Sequence, residues 1–172
     1  MKLSELDRVA IREFTEEDIE NKVKWINDPD NNQFLHYDLP LSVEKTLIWF
    51  KNKAKNRLDC VIEYDGVPVG LIGLLGIDEK NCKAEFYISM GEKQYKRKGI
   101  AKKAGIIFIE YVFASLDIQK IYLYTEEENI VAQKLFEKLG FVREGLFRSD
   151  IIHRGRVINR YAYCLLKEEY DK

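Results

Sequence analysis

Gln94-Tyr95-Lys96-Arg97-Lys98-Gly99-Ile100-Ala101 is the stretch whose residue types and spacing point most directly to chemistry, namely the capture of a polyanion. Ala84-Glu85-Phe86-Tyr87-Ile88-Ser89-Met90 before it is rich in β-favouring residues. After it, Ala101, Ala104, Gly105, Phe108, Ile109, Val112, Phe113 and Leu116 follow a helical spacing. The loop therefore joins a strand to a helix N-terminus, where free backbone N–H groups and a partial positive charge attract anions. Gly99 lets the backbone come close to such an anion, and small Ala101 keeps the first turn open. Lys93, Lys96, Arg97, Lys98, Lys102 and Lys103 crowd the same turn, although the whole chain carries a net charge of only −1.

The elements that position this loop can be read along the chain. Val9–Arg12 reads as a strand, and Thr15-Glu16-Glu17-Asp18 as a capping box opening a helix to about Asn27. Ser42 starts a second helix carrying Val43, Leu47, Phe50 and Ala54. Leu58–Tyr64 and Val67–Gly76 are strands hinged at Asp65-Gly66, and the strand 84–90 follows. After the helix 101–116 come a strand at Lys120–Thr125 and a helix at Asn129–Leu139. Two strands, Phe141–Arg148 and Val157–Leu166, close the chain across His153-Arg154-Gly155-Arg156. This order specifies an α/β (α+β) domain spanning 1–172, with about seven mostly antiparallel strands and about four helices.

Composition bounds the function. Hydrophobic content of 46% and aromatic content of 12% describe a globular protein. Near-neutral charge argues against a nucleic-acid binder, because the basic residues concentrate at 93–103 and lack interleaved aromatics. Cys60, Cys82 and Cys164 form no CxxC pair, and His36 and His153 are far apart, so no metal site is expected. Glu126, Glu127 and Glu128 read as a solvated surface run. The N-terminus lacks the apolar core of a signal peptide and no run is long enough to cross a bilayer, which leads to the expectation of a cytoplasmic, non-membrane protein.

The basic loop resembles the pyrophosphate-binding loop of the GNAT superfamily of acetyl-CoA-dependent N-acetyltransferases, whose pattern is Gln or Arg, two residues, Gly, one residue, then Gly or Ala. Gln94 and Gly99 fit, whereas Arg97 stands at the inner glycine position, which a negative φ would accommodate. Asn129, Ala132, Leu135 and Phe136-Glu137-Lys138-Leu139-Gly140-Phe141 resemble the family's N-x-x-A-x-x-L-Y-E-K-L-G-F segment. The resemblance covers essentially the whole chain.

It implies direct acyl transfer from acetyl-CoA to an amine, without a covalent enzyme intermediate. Backbone amides of Arg97, Lys98, Gly99, Ile100 and Ala101 would receive the pyrophosphate, with Gln94 and Lys96 as further cofactor contacts in the loop. Ile88, Ser89 and Met90 would pair with the pantetheine arm where, in the family, a bulge parts two strands. A main-chain N–H there would polarise the thioester oxygen. Asn129 would fasten the arm from the other side or act as a helix N-cap. The family's usual acid, a Tyr on the last helix, is replaced by Phe136, which would pack against the pantetheine or the core, and Tyr95, Tyr124, Ser89 or water remain as proton donors. Glu85 is the first choice of general base, and alternation puts it on one face with Tyr87 and Ser89. His36, His153 and Asp150 are alternatives.

The acceptor is expected beneath the segment joining the first two helices, with Trp25, Asn27, Phe34, His36, Tyr37 and Tyr87 as candidate contacts. This segment looks similar to that of subfamilies acting on amino sugars or protein N-termini. A small amine is expected, with an amino sugar ahead of a polyamine and a ribosomal-protein N-terminus as the alternative. An acyl-CoA-binding regulatory domain is the non-enzymatic reading. The arginine-rich hairpin 148–160 would form the opposite wall and suit an acceptor carrying phosphate. Tyr161 and Tyr163, expected on an exposed edge, would be consistent with a homodimer.

Overall fold

A computed structural model describes residues 1–171. Eight strands, β1 (Lys2–Leu6), β2 (Val9–Glu13), β3 (Leu58–Tyr64), β4 (Val67–Asp78), β5 (Lys83–Met90), β6 (Lys120–Glu126), β7 (Val142–His153) and β8 (Arg156–Leu166), form one sheet. Their spatial order is β1-β2-β3-β4-β5-β6-β8-β7, and every neighbouring pair is antiparallel except β5 and β6. The helices are α1 (Ile19–Asn27), α2 (Val43–Asn52), α3 (Ile100–Ser115), α4 (Ile130–Lys138) and the short α5 (Lys167–Tyr170).

The strand not foreseen is β1. Lys-Leu-Ser-Glu-Leu shows no buried alternation, and it is ordered by its ladder to β2 at the edge of the sheet. The capping box at Thr15 is present, with Asp18 accepting from the Thr15 N–H at 2.8 Å. It opens a single 3₁₀ turn at Glu16–Asp18, and α1 begins only at Ile19. The Asp18 carboxylate also takes two bonds from Arg12 at 2.7 and 2.8 Å, so it serves the strand as well as the turn.

The sheet separates two cores. Phe86, Phe108, Ile109, Val112 and Phe136 pack on one side under α3 and α4, with Ile88 and Met90 against them. Phe14, Ile19, Trp25, Val61 and Leu71 pack on the other under α1 and α2, with Tyr87 beside them. The alternation of β5 is therefore as expected: Glu85, Tyr87 and Ser89 face the α1/α2 side.

The last two strands are longer than expected, and their register slips between Phe147 and Ile151, where Ser149 takes φ +52°. Tyr163 is fully buried, and the Arg143 guanidinium lies 3.9 Å over the Tyr161 ring. The exposed aromatic edge expected there is absent among the described residues. No described helix is long and apolar enough to cross a membrane.

Candidate active site

The parallel junction between β5 and β6 is short. Only Lys83↔Lys120, Ala84↔Ile121 and Glu85↔Tyr122 pair across it. Beyond Glu85, β5 keeps its β4 partners from Leu74 to Gly70, while β6 keeps its β8 partners from Tyr163 to Arg160. The strands thus part and leave a slot between Phe86–Met90 and Leu123–Glu126. The register of β5 against β4 is unbroken from Glu85 to Met90 and shifts between Leu75 and Asp78, beside the vertex, where Gly76 takes φ +53°. Both strand edges in the slot offer backbone groups to an extended ligand.

The loop after β5 leads into α3. The first intrahelical bond runs from the Lys103 N–H to the Gly99 carbonyl at 3.1 Å, so the N–H groups of Ile100, Ala101 and Lys102 precede it and have no helical acceptor. Gly99 is in the left-handed region at φ +74°, with open space where a Cβ would stand. Arg97 is also left-handed, at φ +60°. The sequence condition of a negative φ fails, and a non-glycine residue occupies a glycine-type conformation at a cost of about 1–2 kcal/mol. Part of the basic cluster is spoken for: Lys93 pairs with Asp30 at 3.2 Å, Lys96 bonds to Asn31, and Lys103 pairs with Asp7 at 3.3 Å. Gln94, Arg97 and Lys98 stay exposed on the rim. Free helix N–H groups, left-handed Gly99 and exposed cations together fit a pyrophosphate group.

Glu85 lies in the last pair before the strands part, at the vertex of the slot. Burial raises its carboxyl pKa above the ordinary glutamate range, and Arg160 lowers it only in part. Asn129 caps α4, its Oδ1 accepting from the Ala132 N–H at 3.2 Å. Phe136 is buried among Phe86, Phe141 and Tyr163 with ring centroids 5.9–6.4 Å apart, so it is a core residue that offers no proton.

The acceptor candidates divide. Trp25 is a core residue, 4% exposed, with its Nε1–H donating to Glu92 at 2.7 Å. Asn27 staples the loop after α1 by bonding the Leu41 carbonyl and N–H at 2.9 and 2.7 Å. Neither is available to an acceptor. Phe34 is half-buried. Tyr37 is 42% exposed, although its hydroxyl end is sunk enough that burial raises its pKa.

Tyr87 crosses Gly73, where a Cβ would come within 2.7 Å of its ring, and donates to Asp59 at 2.8 Å. Asp59 is 4% exposed and takes two bonds from Arg57 at 2.7 and 2.6 Å, with Lys53 at 3.4 Å. Those hydrogen bonds and cations hold its carboxyl below the usual range despite burial. Nearby, buried Lys22 sits 3.6 Å over the Trp49 ring, with Phe14 and Tyr37 at 5.7 and 5.9 Å. Burial pushes its ammonium down to about 8, outweighing the attraction of Asp59. Lys22 was missed in the sequence, although its place between Ile19 and Ile26 on the inward stripe of α1 was a signal.

His36 and His153, remote in sequence, meet on one carboxylate. His36 Nε2 and His153 Nδ1 each lie 2.7 Å from Glu126 Oε1, and the two rings are 4.5 Å apart. Glu126 is 5% exposed, which corrects its reading as part of a solvated run. It follows Tyr122 and Tyr124 in alternation, so it stands across the slot on the same side as Glu85 and Ser89. The expected roof and wall do touch: Arg154 donates to the Asn32 carbonyl and side chain at 2.9 and 2.8 Å. The hairpin arginines do not converge on an anion, since Arg156 pairs with Glu128 at 3.1 Å and Arg160 with Asp150 at 2.6 Å.

A splayed parallel strand pair leading through a left-handed glycine to a helix N-terminus is the architecture of an acyl-CoA-dependent transferase. The family model described as Acetyltransferase (GNAT) domain matches residues 8–142, and the chain belongs to this family of acetyl-CoA-using N-acetyltransferases. It is 29% identical over 171 residues to the uncharacterized N-acetyltransferase p20 of Bacillus licheniformis, covering 95% of this chain and 96% of that one. It is 33% identical over 110 residues to the spermidine N(1)-acetyltransferase of Escherichia coli (strain K12), covering 64% of this chain and 59% of that enzyme. Its fold resembles that of spermidine N-acetyltransferase from Vibrio cholerae, solved with CoA and spermine, with a TM-score of 0.86 and 23% identity over 96% of this chain and 99% of that one.

Proposed function

We propose that this N-acetyltransferase acts on a primary amine of a polyamine of the spermidine type. The observation that carries this reading is the slot beyond Glu85, whose acceptor-side walls present carboxylates and imidazoles while Arg156 and Arg160 of the hairpin are paired with carboxylates and Arg154 is engaged by Asn32. Such walls suit a cationic acceptor better than a phosphorylated one. The similarity to spermidine acetyltransferases supports the same class over the amino sugar expected from the sequence.

Bound acetyl-CoA supplies an activated thioester carbonyl. The amides of Ile100, Ala101 and Lys102 would hold its pyrophosphate, with Arg97 and Lys98 on the rim. The edges of Ile88, Ser89 and Met90 would align the pantetheine arm, and a main-chain N–H from this edge would polarise the thioester oxygen. Glu85, with its raised pKa, would take the proton from the acceptor ammonium, directly or through water. Alignment of both reactants can contribute on the order of 7–11 kcal/mol.

The test is CoA release followed with a thiol-reactive dye, using acetyl-CoA and spermidine, spermine, putrescine, nucleotide-linked amino sugars and N-terminal peptides. Spermidine or spermine is expected to give the highest kcat/KM. A nucleotide-linked amino sugar or a peptide outperforming them would remove the polyamine reading.

A further inference from the structure

We propose that His36, Glu126 and His153 form a binding site for one divalent transition-metal ion of the zinc type, which clasps the loop between α1 and α2 to the β7–β8 hairpin. The three ligands come from three separate elements: the loop after α1, the end of β6 and the end of β7. Their donor atoms all lie within 4.8 Å of one another. Two imidazoles and a carboxylate are a donor set that zinc uses with a fourth position open to water or another ligand. The same set disfavours Mg²⁺ and Ca²⁺, which prefer all-oxygen shells, and Cu⁺, which prefers sulfur.

Geometry and charge agree. An ion about 2.0–2.2 Å from each donor in a tetrahedral arrangement needs the donors roughly 3.3–3.6 Å apart. The two contacts of 2.7 Å to Glu126 Oε1 would therefore open by under about 1 Å, and the two imidazole donors, within 4.8 Å of each other, would close by up to about 1.5 Å, through side-chain rotations. Both imidazoles now direct a ring nitrogen at the same carboxylate oxygen, so a cation takes the place of two N–H donors. The carboxylate of the set, Glu126, is 5% exposed and so largely shielded from water.

The surroundings hold the ligands in place without the ion. Arg154, next to His153, is bonded to Asn32 near His36. The Glu126 carbonyl accepts from the Asn129 N–H at 2.9 Å and Gln133 Nε2 at 3.3 Å, fixing the end of β6. A divalent ion and a cationic acceptor would compete for Glu126, so ion binding is measured without acceptor or acetyl-CoA and its failure leaves the acceptor reading to the CoA-release test.

The experiment is titration of the chelator-treated full-length protein with Co²⁺, read by its ligand-field absorption, and with Zn²⁺, read by calorimetry and thermal unfolding. One ion per chain is expected, with a Zn²⁺-dependent rise in Tm. His153→Ala and His36→Gln should each weaken binding roughly tenfold or more and abolish the rise in Tm. The His36 side chain is 37% exposed, so His36→Gln keeps the test informative should His153→Ala disturb the fold, with circular dichroism as the check. No saturable binding, or binding equally tight in His36→Gln, would overturn the proposal.

Discussion

The two walls of the slot between β5 and β6 are built in different ways. The wall that fits the cofactor is one continuous stretch, 85–102, running from strand through loop to helix. Its working groups are largely backbone: strand edges and helix N–H groups. The opposite side, proposed above for the acceptor, is assembled from the loop after α1, the end of β6 and the β7–β8 hairpin, and its groups are side chains that meet only in three dimensions. Two buried carboxylates sharpen the contrast. Asp59 is saturated by Arg57, Lys53 and Tyr87 and serves to tie β3 to β5, whereas Glu126 is shared by two imidazoles from distant segments. Backbone-built chemistry follows from local sequence, while side-chain-built chemistry requires the fold.

The largest effect expected from breaking this arrangement is at the vertex. Glu85→Gln should lower kcat about 10²–10⁴-fold with KM little changed, because a proton acceptor is lost while both walls remain. In the unmodified enzyme, the acidic limb of the kcat/KM profile should fall above the ordinary glutamate range and disappear in the variant. A loss below about tenfold would move the base elsewhere on the acceptor side.

Lys22 gives the next effect, on stability. Its folded pKa of about 8 is below the ordinary 10.5, so below pH 8 both states are protonated and the burial penalty is fully felt. As pH rises through 8 the folded state releases its proton while the unfolded chain keeps it, so stability should rise with pH. Relative to Lys22→Met, the unmodified protein should gain roughly 1–2 kcal/mol between pH 8 and 9.5, measured by urea unfolding. Parallel curves would show that the Trp49 face, worth about 2 kcal/mol to a desolvated cation, offsets the burial.

Seven of the eight strands, four helices and the position of the loop between β5 and α3 were legible because hydrophobic period, turn residues and caps are local. The edge strand β1 was not, since its order comes from pairing with β2 rather than from its own pattern. Trp25 and Asn27 were assigned to the acceptor because an aromatic platform with an amide at the end of the first helix suits a sugar ring. The residues packed around Trp25 and the Leu41 backbone that bonds Asn27 decide otherwise. The histidines could not be paired from spacing, as His36 and His153 reach Glu126 across 90 and 27 residues. The one local clue left unread was Lys22, a cation on the apolar stripe of α1.

Arg97 offers the smallest effect and the finest test of the cofactor wall. At φ +60° its backbone is in a region that costs an ordinary residue about 1–2 kcal/mol, and glycine would relieve that strain. Glycine also gives the unfolded chain more freedom, which takes back about 0.4–1 kcal/mol. The net expectation for Arg97→Gly is a gain in stability of up to about 1 kcal/mol, seen as a small rise in the urea midpoint. Its guanidinium is exposed at the helix N-terminus, so the same change should weaken acetyl-CoA binding, and the deficit should shrink as salt is raised. Better stability with poorer, salt-sensitive binding would show that strain is retained at Arg97 for the charge it delivers. If Arg97→Gly lost stability instead, the side chain would be holding the loop together, and the cofactor wall would depend on side-chain contacts as the acceptor side does.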